Sequence, residues 1–128
     1  MSDSPEENWK LWTDRAKEDF ELSKRSLRGK QPLTYGATFH AQQCIEKYLK
    51  ALFVSRSIPF PKTHDLSALC VIAENNGILL PVSQDVLLEL STYAVETRYP
   101  GDTPTIEMAM DAFKYAELIQ KFIRRILK

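Results

Sequence analysis

Apolar residues recur at helical spacing along five stretches of the chain, and nowhere do they alternate with the period of two that marks a half-buried strand. The first stretch runs from about Glu7 to Arg28, where Trp9, Trp12, Ala16, Phe20 and Leu27 share one narrow stripe. Leu11 and Leu22 lie nearly opposite, beside Arg15 and Glu18, and read as scattered exposed leucines. The second stretch, from about Tyr35 to Ser57, puts Ala37, Ala41, Cys44, Ile45, Tyr48, Ala51 and Leu52 on a core face. His40, Gln43, Glu46, Lys47 and Lys50 share the other face, with Phe39 and Phe53 among them. Glu46 and Lys50 stand i,i+4 in the favourable order for an exposed helix surface.

A third, short helix is predicted from about Asp65 to Asn76, stopped by Asn75-Asn76-Gly77. The fourth starts after Pro81 with Ser83 as N-cap and ends near Arg98, because Pro100 biases Tyr99 toward extended geometry. The fifth follows Thr103-Pro104, read as an N-cap with proline at the first helical position, and continues to about Leu127. Ala109, Ala112, Phe113, Ala116, Ile119, Ile123 and Ile126 make its apolar side, widened by Met108, Tyr115 and Phe122. A stripe that wide suits a central helix or a dimer contact. Glycine and proline concentrate at 29–32, 59–61, 77–81 and 100–104, which supplies the four breaks. The expected architecture is all-α: an antiparallel up-and-down bundle of four long helices plus one short helix.

Composition narrows the class. A chain of 128 residues, 44% hydrophobic, predicts a single domain over 1–128 and excludes a disordered tail. Lys and Arg total 17 against 17 Asp and Glu, so a basic surface gripping nucleic acid is not expected, although a local basic patch is compatible. No apolar run approaches the roughly 20 residues of a membrane span, and the opening MSDSPEENWK is too acidic for a signal peptide, which together imply a cytoplasmic protein. Cys44 and Cys70 lack CxxC spacing and read as small buried hydrophobes in a reducing compartment.

The familiar catalytic signatures GxGxxG, GxxxxGK[ST], HExxH and GxSxG are absent. Two histidines exclude a His-rich metal site, and no Glu-x-x-His pair offers a di-metal centre, so neither metal nor cofactor is expected. Three local features can carry chemistry. His40, Gln43, Lys47 and Lys50 form a line of donors that suits a phosphate or a base, or is a solvated helix face. In Lys62-Thr63-His64-Asp65-Leu66, Thr63 or Asp65 suits an N-cap at an anion-friendly helix start, and His64 can ligate phosphate, donate a proton, or simply pack. In Glu96-Thr97-Arg98-Tyr99-Pro100-Gly101-Asp102, Arg98 offers a planar fork of donors and Tyr99 a stacking face, unless Arg98 caps the fourth helix or pairs with Glu96 or Asp102.

These features, in this order, resemble the HEPN domain, the "higher eukaryotes and prokaryotes nucleotide-binding" helical family. The resemblance rests on Trp9, Trp12, Ala16 and Asp19, then on the run from Gln42 to Ala51, Thr63-His64-Asp65-Leu66, and Thr97-Arg98-Tyr99-Pro100, and it covers nearly the whole chain. It implies a homodimer and, for many prokaryotic members, pairing with a small nucleotidyltransferase as a two-component toxin–antitoxin system. Other members are metal-independent ribonucleases built on Arg-x(4-6)-His. Here Arg98 matches the arginine, but no histidine follows His64. The expectation is therefore a non-catalytic nucleotide- or partner-binding module. Its ligand residues would be Arg98, Tyr99, Lys47, Lys50, Glu46, Gln43, His40, His64 and Asp65. The alternatives are a ribonuclease using Arg98 with His64 or His40, and a purely structural interaction protein.

Overall fold

The computed structural model describes residues 4–96 and 100–127, at positions 5 and 93–96 for the backbone only. After a short turn at Pro5–Glu7 come α1 (Trp9–Ser26), α2 (Thr34–Ser55), α3 (Leu66–Asn75), α4 (Gln84–Glu96) and α5 (Ile106–Ile126). The described residues contain no strand. None of the helices is long and apolar enough to cross a membrane. The all-α bundle expected from periodicity is the fold observed, and each helix lies where the pattern puts it.

α1 and α2 form an antiparallel hairpin. The Leu33 amide donates to the Ser26 carbonyl at 2.7 Å, Ser23 Oγ donates to the Ala37 carbonyl at 2.7 Å, and Asp19 reaches His40. Partners thus recede from the turn on both helices together. Gly36 sits where an added Cβ would lie 3.3 Å from Ser26 Oγ, which keeps the helices close at the hairpin.

α2, not α5, is the central helix: it packs against α1 and α5 along its length and against α3 and α4 on a further side. Ala37, Ala41, Cys44, Ile45, Tyr48, Ala51 and Leu52 are fully buried, as expected. Phe53, placed by periodicity on the polar face, is fully buried as well. Enclosure on several sides is the reason, because it leaves α2 a water-facing strip of little more than Tyr35, Phe39, His40, Gln43 and Lys47. On α5 only Ala109, Ala112, Ala116, Ile119 and Ile123 are fully buried, while Met108, Phe113, Tyr115 and Phe122 are half-buried.

The buried line of α1 is polar and small: Thr13, Ala16, Asp19 and Ser23. The aromatic residues of the expected stripe, Trp9, Trp12 and Phe20, flank it half-buried, and Leu11 and Leu22 are exposed. Caps follow local chemistry. Asn8, Asp65 and Ser83 accept from amides in the first turns of α1, α3 and α4. The cap of α5 is Thr105 rather than Thr103: its hydroxyl accepts from the Met108 amide at 3.1 Å, and Pro104 is buried before the helix begins.

Candidate functional site

Two buried carboxylates organise the polar residues of α2. Asp19 accepts from Lys47 Nζ at 2.6 Å through one oxygen and holds His40 Nδ1 at 2.8 Å through the other. Glu46 accepts from Lys50 Nζ at 3.0 Å and holds His64 Nδ1 at 3.0 Å. A carboxylate paired with an ammonium can only accept, so each Nδ1 carries the hydrogen and Nε2 is the outer ring nitrogen. No hydrogen bond reaches either Nε2 among the described residues. Each cluster balances one negative against one positive charge, which leaves its imidazole to set the net charge.

The second cluster is the more unusual. The Glu46 side chain is 4% exposed and that of Lys50 8%, whereas the His64 side chain is 81% exposed. The expected exposed i,i+4 pair is therefore a buried one. Its cover comes from α1 and from the loop before α3: Lys50 Nζ lies 5.7 Å from the Trp12 ring and 6.0 Å from the Phe60 ring. Lys50 and Glu46 thus offer little surface to an incoming ligand, and their roles are to hold and neutralise one another beneath His64.

The start of α3 also differs from the anion-friendly end expected of it. Thr63 Oγ1 accepts from the Asp65 amide at 3.1 Å, Ser91 Oγ of α4 from the Leu66 amide at 2.9 Å, and Asp65 Oδ1 from the Ser67 amide at 3.0 Å. Asp65 is the N-cap, and these three amides are already satisfied. What this corner offers a ligand is His64 itself. Through it α2, α3 and α4 converge, since Glu46 holds His64 while Ser91 holds the next turn.

Of the sequence-derived candidates, the structure groups His40 with Lys47 on Asp19, and Glu46, Lys50, His64 and Asp65 at the start of α3. Gln43 lies on the half-exposed strip of α2, one turn from each carboxylate cluster. Thr97, Arg98 and Tyr99 lie outside the described residues. Asp19 was not among the ligand candidates, although its spacing from Trp12 and Ala16 places a charge on the buried side of α1 and is the signal that finds it. A second unanticipated feature is a polar line on α2: Thr38, Gln42, Glu46 and Lys50 follow one another every fourth residue, all buried. Thr38 Oγ1 and Gln42 Oε1 have no hydrogen-bond partner among the described residues.

The remaining buried titratable groups stay protonated. Burial pushes the Cys44 and Cys70 thiols up, Cys70 to about 11, and raises the Tyr48 phenol, which donates to Gln120 Oε1 at 3.1 Å. Neither thiol is a nucleophile in this environment. Among the described residues no group of three or more His, Cys, Asp or Glu could hold a metal ion.

The fold and site define an all-helical domain that presents two histidines from buried carboxylate anchors, Asp19 on α1 and Glu46 on the central helix α2. The chain belongs to the HEPN family, whose HEPN domain model matches residues 9–126. No curated protein and no solved structure matches it.

Proposed function

We propose that this HEPN domain binds a nucleotide through phosphate on the face where α2 meets the start of α3, and works beside a small nucleotidyltransferase in a toxin–antitoxin-like pair. The observation that carries the reading is His64, an exposed imidazole anchored by a buried carboxylate that Lys50 neutralises. A buried ion pair contributes little net stability against apolar side chains of equal volume, so what Glu46 and Lys50 supply is a fixed orientation for that ring. With its second proton, His64 donates from Nε2 to a phosphate oxygen. Lys47 keeps donors beyond the one on Asp19, and Gln43 adds an amide. Arg98, two residues beyond α4, brings a bidentate fork and Tyr99 a stacking ring. A homodimer is the assembly this reading takes.

Calorimetric titration with nucleoside mono- and triphosphates tests it. Binding in the wild type that falls at least tenfold in both His64→Ala and Arg98→Ala, with melting temperatures retained, is the expected result. No binding by the wild type, or full binding by His64→Ala, overturns it.

One observation favours a second reading. A carboxylate on Nδ1 fixes an imidazole for proton transfer at Nε2, the arrangement of a general acid–base group. As a ribonuclease, the domain would pair His64 with Arg98. Cleavage of structured RNA in EDTA, lost in both alanine variants, supports that reading. Intact RNA, or cleavage that survives both changes, removes it.

A further inference from the structure

Beside this face lies an open groove of about 510 Å³, lined by Leu11, Trp12, Arg15 and Lys47 together with Glu6 and Asp14. Its size falls within the range of small-molecule sites, about 300–1,000 Å³. We propose that it seats a nucleoside monophosphate unit, with the base on Trp12 and the one phosphate shared by Arg15, Lys47 and the Nε2 of His64. The inference rests on the nucleotide reading above and adds where the ligand sits and how much charge it carries.

Three observations converge on it. Trp12 is a preorganised platform: its Nε1–H donates to the Glu6 carbonyl at 2.9 Å, and Lys50 Nζ lies 5.7 Å from its ring. An indole held in place stacks a planar base of any identity, since every base has a π-face. Arg15 is exposed and has no ion pair among the described residues, so its guanidinium is available for bidentate contact with a phosphate. Lys47 donates one N–H to Asp19 and keeps two other N–H donors on a side chain that is partly exposed.

The charge balance selects the ligand. Two cations and two carboxylates line the groove. Arg15 supplies the unpaired counter-charge for a monophosphate and Lys47, whose own charge Asp19 balances, adds N–H donors, while Glu6 and Asp14 accept from ribose hydroxyls or a base amine. A triphosphate brings further negative charge that the same carboxylates repel. Trp12 and Lys50 join this groove to the His64 corner, because Lys50 lies against Trp12 and pairs with the Glu46 that holds His64.

The chain has two tryptophans, so a Trp9→Phe background leaves Trp12 as the sole indole emitter. In that protein, titration with AMP is expected to quench and shift the emission at the concentrations that calorimetry reports for binding, with ATP binding more weakly. Arg15→Glu, an exposed change that leaves the core intact, is expected to weaken AMP at least tenfold, and Trp12→Leu about tenfold or more, the range of a lost base stack. AMP binding that depends on His64, yet leaves the emission unmoved and survives Arg15→Glu, overturns the groove and keeps the nucleotide reading. ATP binding more tightly than AMP overturns the monophosphate assignment. Absence of binding by either nucleotide overturns both readings together.

Discussion

Lys50→Met removes one half of the buried pair under His64, and its cost can be worked from the geometry. The charged atoms are 3.0 Å apart, so their attraction is about 5 kcal/mol at an effective dielectric of about 20. Burying each ion costs several kcal/mol, so the intact pair comes near to break-even. With Lys50 gone, Glu46 remains buried with His64 as its surviving partner, and the loss is expected to be about 3–5 kcal/mol. For a chain of this length, 1 kcal/mol corresponds to about 3–5 °C, which predicts a melting temperature lower by about 10 °C or more. The double variant Glu46→Leu/Lys50→Met leaves no orphaned charge and should lie within about 1 kcal/mol of the wild type. Urea unfolding followed by circular dichroism, at one protein concentration, measures the wild type, Lys50→Met, Glu46→Leu and the double variant. A Lys50→Met loss below about 1 kcal/mol, or a double variant as unstable as the two singles summed, would refute the view that these charges are held by each other.

Three further outcomes are expected. Asp19→Ala breaks the bonds to His40 and Lys47, and at about 1.5–3 kcal/mol for each charge-assisted bond it should lower urea stability by about 3–6 kcal/mol. Asp65→Ala strips the cap that serves both the Ser67 amide and its hydroxyl, a loss of about 1 kcal/mol in the same assay. Because folding raises the Cys70 thiol from its ordinary value of 9.0 to about 11, its contribution to stability is complete below pH 9 and fades as pH rises through 11. Ellman's reagent should therefore leave native protein unlabelled at pH 8, and Cys70→Ala should flatten part of the stability decline between pH 9 and 11.

The helices were legible because apolar spacing and breakers act locally. Asn75-Asn76-Gly77 ends α3 where the pattern ends it, with Gly77 at φ +75, a conformation glycine adopts without strain. Cap identity was less so: Thr103 and Thr105 both precede the same apolar run, and only the packing of Pro104 separates them. The burial of Glu46 and Lys50 was hidden for a different reason. Periodicity ranks positions by residue type, whereas burial depends on what covers them, here Trp12, Phe60 and the start of α3. Asp19 was hidden in the same way, as a charge on a buried line whose partners, His40 and Lys47, belong to another helix. His64 as a ligand candidate was visible in its motif, but its anchor on Glu46, 18 residues earlier in the chain, emerged only with the fold.

The most direct test of the account is imidazole nitrogen NMR on His64, recorded before and during addition of AMP. Glu46 accepting from Nδ1 predicts the Nδ1–H tautomer in the neutral ring, and ligand binding should move Nε2 to its protonated position while Nδ1 stays in place. A free-state Nε2–H tautomer, or AMP bound with no change at either His64 nitrogen, would contradict it.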